Sequence, residues 1–307
     1  MSTLRPDAFA TPYRDPVFDG ATDPVVIADP VRGGWLLFYT QRRATLDLNG
    51  VEWIHGTRVG VSRSLDAGVT WMYEGTVAGL ENNSRAGREQ THWAPDVIRI
   101  EDRWLMLLTV VDGIHSDWSG EASIEQFESM DLRSWTWSGR VPLASPRVID
   151  AAIARGDDGR YRLWFKDETR GSTTYVAVTS TPSDASSWRE DGEVISGRPH
   201  EGPKAFRLGS WWWLIVDEWR GLAVHRSRDG IQNWTRQVAN GGLLLEAAED
   251  WEGRSLKAHH ADVVALERDS AGRDRALIVY FTHPGERRSH IRSAVLVENH
   301  GTLSVLE

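Results

Sequence analysis

One unit, a hairpin followed by an Asp-containing turn, recurs five times along the 307-residue chain. The five hairpins begin with DPVVIAD at Asp23, APDVIRI at Ala94, DAAIARG at Asp150, EGPKAFR at Glu201 and ADVVALE at Ala261. Each has an apolar strand, a polar turn and a second strand rich in aromatic and aliphatic residues, which is typical of a β-hairpin. A unit that recurs at this spacing along a chain indicates a solenoid or a propeller.

The 16 tryptophans of the chain follow the same repeat. Four of them end an Asp-containing turn that follows a short β-like segment, namely Trp71, Trp135, Trp188 and Trp234. The Ser and Asp side chains of such turns can bond to turn amides while the Trp ring packs beneath. Helical periodicity is nearly absent. We therefore predict an all-β fold, a single five-bladed β-propeller over residues 1–307 with four-stranded antiparallel blades, over a β-sandwich or two small β domains.

Composition excludes several kinds of partner and site. The net charge of −9 argues against nucleic acid or an anionic membrane as a partner. The chain has no cysteine, which excludes disulfides and thiolate metal sites. No apolar segment is long enough to span a bilayer, and the amino terminus lacks the apolar region of a signal peptide. We expect a cytoplasmic protein, of an oligomeric state that the sequence does not reveal.

Polar residues stand at the head of every predicted first strand. In a propeller these strand heads gather around one mouth of the central channel. They are Asp23 in blade one, His92, Trp93 and Asp96 in blade two, Asp150 in blade three, His200 and Glu201 in blade four, and His259, His260 and Asp262 in blade five. Since unpaired polar groups are costly in a packed channel, we predict that they form a shared polar cup. Clustered carboxyl groups have separated pKa values, which suits the acid–base chemistry of glycoside hydrolysis.

These segments, one in each blade, resemble the five-bladed propeller glycoside hydrolases of family 43 and the related family 117. Asp23-Pro24 resembles the aspartate that serves there as general base, and Trp93-Ala94-Pro95-Asp96 resembles the blade-two signature. Asp150 resembles the aspartate that tunes the pKa of the acid, and Glu201-Gly202-Pro203 resembles the segment that carries the general acid. The resemblance thus implies a glycosidase with Asp23, Asp150 and Glu201 as catalytic residues.

The resemblance also implies a mechanism and a class of substrate. Asp23 would activate a water, Glu201 would protonate the departing oxygen, and Asp150 would keep Glu201 protonated. We predict inversion, with the Asp23 and Glu201 carboxyl groups roughly 6.5 to 9.5 Å apart. The substrate would be a small oligosaccharide, cleaved from its end to release arabinose, xylose, galactose or anhydrogalactose. No cofactor is required, although His260 resembles a histidine that helps some members to hold a divalent cation such as Ca²⁺ at the propeller axis.

Substrate contacts are predicted for seven side chains, namely His92, Asp96, His200, His260, Trp93, Trp53 and Trp219. The three tryptophans among them, together with Trp118, are candidate faces on which a sugar stacks. Arg42, Arg43 and Arg58 could also line the cup. The pair His200-Glu201 resembles family 117 more than family 43, which leaves open whether His200 assists Glu201 as the acid.

Three other functions compete with this hypothesis. One is a carbohydrate-binding propeller without catalysis, against which the presence of all three carboxyl groups argues. Another is a sialidase, whose characteristic turn SLDAGVTW matches at residues 64–71, but no predicted strand head carries an arginine. The third is a fructan-cleaving propeller, whose N-D-P-N-G context Asp23 lacks.

Overall fold

The protein is a five-bladed β-propeller in a computed structural model that describes residues 3–246 and 257–306. Each blade is an antiparallel sheet built from consecutive strands, so the predicted fold class is confirmed. Three short 3₁₀-helices interrupt the loops, at Glu52–Ile54, Ala185–Ser187 and Ala239–Gly242. In the part of the chain that the structure describes, no helix has the length and apolar character to span a membrane.

The 21 strands of the described residues are distributed over the five blades as follows. Blade one comprises β1 (Ala21–Ala28), β2 (Trp35–Gln41), β3 (Arg58–Ser64) and β4 (Met72–Thr76). Blade two comprises β5 (Gln90–Ile100), β6 (Arg103–Asp112), β7 (Ala122–Ser129) and β8 (Thr136–Arg140). Blade three comprises β9 (Val148–Arg155), β10 (Tyr161–Asp167), β11 (Thr173–Thr179) and β12 (Arg189–Ile195). Blade four comprises β13 (Glu201–Leu208), β14 (Trp211–Asp217), β15 (Leu222–Ser227), β16 (Thr235–Arg236) and β17 (Leu243–Leu244), and blade five comprises β18 (His259–Leu266), β19 (Arg275–Thr282), β20 (His290–Asn299) and β21 (Thr302–Val305).

The apolar core lies between neighbouring blades, because successive side chains of a strand point to opposite faces of its sheet. On β2, Leu36 and Phe38 pack against blade two, whereas Leu37 and Tyr39 pack against blade five. Similar clusters join blades two and three, three and four, and four and five. This arrangement explains why the second strands read as continuous apolar runs: both of their faces are buried.

The Asp-containing turns have the structure that the sequence predicts. Ser64 Oγ donates a hydrogen bond to Asp66 Oδ1 at 2.8 Å, and the Asp66 carboxylate accepts one from the Thr70 amide at 2.9 Å. Trp71 Nε1 donates to the Gly68 carbonyl at 3.0 Å, which fixes the ring against the turn. The turns of blades two and four repeat the Ser and Asp contacts.

The ring closes through the amino-terminal segment, which contacts both blade one and blade five. Tyr13 exchanges backbone hydrogen bonds with Ile291 of β20, and its hydroxyl lies 2.6 Å from Ser62 Oγ of β3. Earlier in the chain, the Phe9 ring stacks on Trp71 with 4.8 Å between ring centroids. Both aromatic side chains belong to the cluster between blades one and five. Closure therefore depends on buried side chains and a few backbone bonds.

We expect Phe9→Ala to lower the free energy of unfolding by about 3–5 kcal/mol, because it leaves a cavity beneath Trp71 at the point of closure. Chemical denaturation monitored by tryptophan fluorescence measures the change. Val31→Ala is the control: Val31 is 68% exposed, so its truncation should alter stability by no more than about 0.5 kcal/mol. Equal effects of the two substitutions would contradict this account of closure.

Candidate active site

A β-bulge at the head of each first strand shapes the site. In all five blades the first strand has one residue more than its partner at this point, for example between Thr22 and Val25 of β1 and between Glu201 and Lys204 of β13. Four bulge residues have a positive φ, namely Asp23 (51°), Ala94 (45°), Asp150 (59°) and Gly202 (56°). The bulge redirects the chain, as bulges next to active sites commonly do.

Gly202 shows why the residue at one of these bulges is constrained. Its φ of +56° favours glycine, and a Cβ there would lie 2.8 Å from the imidazole of His260. Strand β13 can therefore approach β18 closely at this point. In the segment Glu201-Gly202-Pro203, glycine permits this approach and proline restricts the backbone within the bulge.

The strand heads surround a cavity of about 440 Å³ at one mouth of the channel. Its lining comprises Asp23, Arg42, Ile54, Trp93, Trp118, Arg147, Ile149, Asp150, Lys166, Glu168, Ser172, Glu201, Trp219 and His260. The three carboxyl groups predicted to be catalytic thus come from blades one, three and four and meet at a single cavity. Its size lies within the usual range for small-molecule sites.

Asp23 is buried and has few partners. The Thr22 hydroxyl donates a hydrogen bond to its Oδ2 at 3.1 Å, and His260 Nδ1 lies 3.6 Å from its Oδ1. Asp23 is 5% exposed, and the exposed part faces the cavity. A carboxylate with so few hydrogen-bond donors is able to accept a proton from a water in the cavity.

Glu201 lies opposite a lysine and a tryptophan. Lys166 Nζ is 3.2 Å from Glu201 Oε2, and Trp219 Nε1 donates to Glu201 Oε1 at 2.9 Å. Burial lowers the pKa of Lys166, but the neighbouring carboxylates of Glu201, Asp150 and Glu168 outweigh burial and raise its pKa overall. Lys166 therefore remains a cation at neutral pH beside the Glu201 carboxyl group.

Asp150 has the most perturbed environment of the three carboxyl groups. Burial raises its pKa to about 7; the negative charges of Glu201 and Asp23 act in the same direction, whereas His260 and Lys166 oppose it. Asp150 Oδ2 also accepts a hydrogen bond from the Gly202 amide at 3.0 Å, which links it to the strand that carries Glu201. Asp150 can thus retain its proton up to about neutral pH, beside the charge of Glu201.

Several charged lining residues were not predicted from the sequence. Lys166 is the penultimate residue of β10 and lies beside the head of β9, where it pairs in register with Ile149. Arg147 precedes β9 and forms an ion pair of 2.5 Å with Glu168. In a hairpin the end of the second strand lies beside the head of the first, so polar residues at second-strand ends were the signal that could have revealed this part of the lining.

Arg42 is a second charged lining residue at the end of a second strand, in blade one. It comes just after β2 and lines the cavity, unlike Arg43 and Arg58. Its guanidinium carbon lies 5.4 Å from the centroid of the Phe281 ring, and its Nε is buried without a hydrogen-bond partner. Arg42 is therefore held by aromatic packing and presents a positive charge to the cavity.

Three of the predicted substrate contacts reach the cavity, and they are Trp93, Trp219 and His260. Trp93 is fixed by a hydrogen bond of 2.7 Å from its Nε1 to the Ile54 carbonyl. Trp219 is 40% exposed and stands at the rim with Trp118, which is 62% exposed. These two rim faces are accessible to a sugar ring in solution.

The structure does not bring the other four predicted contacts to the cavity lining. Burial lowers the pKa of His92 to about 3, and the ring bonds to Gln90 behind the cavity. Both ring nitrogens of His200 are engaged, with Thr174 at 2.7 Å and with a backbone carbonyl at 2.9 Å, so neither is free to assist Glu201. Asp96 is bonded to Lys204 beneath the cavity, and Trp53 packs behind it against the cluster of Ile54 and Trp93.

The residues near His260 do not fit the divalent cation that the family resemblance allows. Among the described residues, no group of three or more His, Asp or Glu side chains could hold a metal ion. Asp23 is the acidic side chain that pairs with His260, whereas Asp96 and Asp262 are both paired with the ammonium group of Lys204. We derive no catalytic step through a metal.

Comparison with known proteins is consistent with this architecture. A thermostable family-43 glycoside hydrolase is similar in structure, with a TM-score of 0.70 at 17% identity over 96% of both chains. An exo-1,5-α-L-arabinanase from a bovine ruminal metagenomic library gives a TM-score of 0.67 at 17% identity, over 96% of this chain and 99% of that one. The GH43_1 enzyme from Xanthomonas citri complexed with xylose gives 0.70 at 16% identity, over 96% and 93%.

At these identities the structural likeness shows the fold alone, and no curated protein sequence matches the chain. The family model described as glycosyl hydrolases family 43, however, matches residues 13–264, which is most of the sequence. The carboxyl-lined cavity lies within that region. The chain therefore belongs to glycosyl hydrolases family 43 and is a glycoside hydrolase.

Proposed function

We propose that this glycosidase removes a terminal sugar from a small oligosaccharide with inversion at the anomeric carbon. The observation that carries the proposal is the meeting of Asp23, Asp150 and Glu201 at one cavity, each on a different blade. Retaining and inverting glycosidases both need two carboxyl groups across a small pocket. Cleavage at a chain end is supported by the similar fold of the protein described as an exo-1,5-α-L-arabinanase.

Asp23 is the proposed general base and Glu201 the proposed general acid. Water attacks the anomeric carbon as Asp23 takes its proton, the glycosidic C–O bond breaks, and Glu201 gives its proton to the departing oxygen. Asp150 interacts with Glu201 so that the pair holds the proton needed for this last step. Lys166 faces Glu201 and offsets the negative charge that remains after proton transfer.

For the sugar we propose a neutral pentose or galactose type, in agreement with the expectation from sequence. The described structures of similar fold include an arabinanase and an enzyme complexed with xylose. The cavity offers apolar faces from Trp93 and Ile54 beside its charged groups, which suits a ring with both hydroxyl-bearing edges and a CH face. Trp219 and Trp118 at the rim would stack on the next sugar of the chain.

We expect Asp23→Asn and Glu201→Gln each to lower kcat by roughly 10²- to 10⁴-fold, because each removes one proton-transfer group and keeps its shape. The assay is release of free sugar from aryl glycosides and from short arabinan and xylan oligosaccharides. Asp191→Asn, an exposed change on the outer strand of blade three, is the matched control and should leave kcat unchanged. Near-normal turnover by either carboxamide variant, with unchanged melting temperature, would remove that residue from the mechanism.

We expect Asp150→Asn to move the alkaline limb of the pH profile of kcat/KM to lower pH. A neighbouring negative charge makes a carboxyl group keep its proton to higher pH, so removing that charge lets the proton leave earlier. At pH values above the limb, kcat/KM of the variant should be about tenfold lower than that of the wild type for each pH unit by which the limb moves. Ser172→Ala, which changes a lining residue that does not titrate in this range, should leave the limb in place. An unmoved limb in Asp150→Asn would refute the role of the pair.

We expect the first sugar released to have the inverted anomeric configuration. Proton NMR spectra recorded within minutes of adding enzyme distinguish the two anomers before mutarotation mixes them. Inversion requires room for a water between the Asp23 and Glu201 carboxyl groups. A retained configuration would instead assign Asp23 as a nucleophile and contradict the proposed roles.

A further inference from the structure

A buried ion-pair network lies one level below the cavity, in the central channel. Lys204 of β13 places its ammonium group 2.8 Å from Asp96 Oδ1 and 2.9 Å from Asp262 Oδ1. Both aspartates are at most 5% exposed and the lysine side chain is 14% exposed. The two carboxylates and the ammonium group satisfy one another away from bulk water.

Lys204 reaches across the channel to make this contact. Strand β13 packs beside β9 and β18, the first strands of the adjacent blades three and five. Asp262 belongs to the neighbouring β18, but Asp96 belongs to β5 of blade two, which is not adjacent to blade four. The ammonium group therefore joins β5 of blade two to β13 and β18, which belong to blades that are not adjacent to blade two.

The same two carboxylates also hold the remaining first strands. Asp262 Oδ2 accepts a hydrogen bond from the Val26 amide of β1 at 2.8 Å. Asp96 Oδ2 accepts one from the Ile153 amide of β9 at 2.7 Å. With Lys204 on β13, Asp96 on β5 and Asp262 on β18, one network of three side chains ties the first strands of all five blades.

The points of attachment lie directly beneath the cavity carboxyl groups. Val26, Ile153 and Lys204 each come three positions after one of them, in the order Asp23, Asp150 and Glu201. Asp23 and Asp150 lie within the bulges of β1 and β9, and the bulge of β13 lies between Glu201 and Lys204. A change in the network would consequently shift the bulges and the side chains that they orient.

We propose that Lys204 is a positioning residue for the catalytic site: its cross-channel ion pairs hold the strands of Asp23, Asp150 and Glu201 at their working separation. The inference rests on the proposed function of those three carboxyl groups. The ammonium group of Lys204 is the positive charge that pairs with both Asp96 and Asp262. It touches neither the cavity nor the substrate, so it acts through the strands alone.

The test compares wild type with Lys204→Met, which keeps most of the length of the side chain and removes its charge, and with Lys204→Arg, which keeps the charge. Arg207→Met is the matched control, because Arg207 lies on the same strand and pairs with Asp157 at the surface. Turnover is measured per folded molecule, well below the melting temperature. Amide hydrogen exchange of β1 and β9 is measured on the same samples.

We expect Lys204→Met to lower kcat by roughly 10- to 100-fold, since small displacements of catalytic groups have effects of this order. KM should change by less than about threefold, because the sugar contacts of the cavity and rim remain. Lys204→Arg should recover most of kcat, and Arg207→Met should match wild type. The amides of β1 and β9 should exchange faster in Lys204→Met, whereas the control leaves them unchanged.

A purely structural role predicts a lower melting temperature with normal kcat per folded molecule, and that result would overturn the inference. Unchanged exchange in β1 and β9 would also overturn it. If Lys204→Met does not fold, the variant Lys204→Met/Asp96→Asn/Asp262→Asn removes all three charges together. The same changes in kcat, KM and amide exchange are expected of it. Absence of turnover in the wild type would defeat the proposed function instead, and hydrogen exchange would still decide whether Lys204 ties the strands.

Discussion

The bulge at the head of each first strand is the constraint on which the site depends. It turns the backbone so that a side chain at the strand head faces the cavity while the rest of the strand stays in register with its partner. Backbone in the left-handed region costs roughly 1–3 kcal/mol for a residue other than glycine. Fixed hydrogen bonds offset part of this cost: the amides of Ala94 and Asp150 donate to Thr40 and Thr109 of the preceding blade at 2.8 and 3.0 Å.

Charge is arranged in two levels along the channel. At the upper level, carboxyl groups on the first strands face cations at the ends of the second strands, as in the pair of Glu201 and Lys166. At the lower level, Lys204 is enclosed by Asp96 and Asp262. The upper charges are incompletely paired and border a cavity, which suits proton transfer, whereas the lower charges are fully engaged and close the channel.

Part of the site could be read from the sequence because the repeat assigns equivalent positions. Once five hairpins are aligned, Asp23, Asp150 and Glu201 fall at strand heads, and a propeller brings strand heads together. Alignment did not distinguish a strand-head residue that faces the cavity from one that faces the blade interior. His92 and His200 lie next to the bulges, yet the structure turns both rings into the protein, where that of His92 bonds to Gln90 and that of His200 to Thr174.

The sequence by itself determined the number of blades, the strand order and the three carboxyl-bearing strand heads, because these follow from periodic patterns that are local in the chain. Only the tertiary structure decided that Lys166 faces Glu201, that Asp96 lies below the cavity rather than in it, and that Lys204 joins opposite sides of the channel. The physical reason is that such contacts join residues up to 108 positions apart, and closure of the ring sets their distances. The local pattern places a residue at a strand head, but closure of the whole ring decides its partners across the channel.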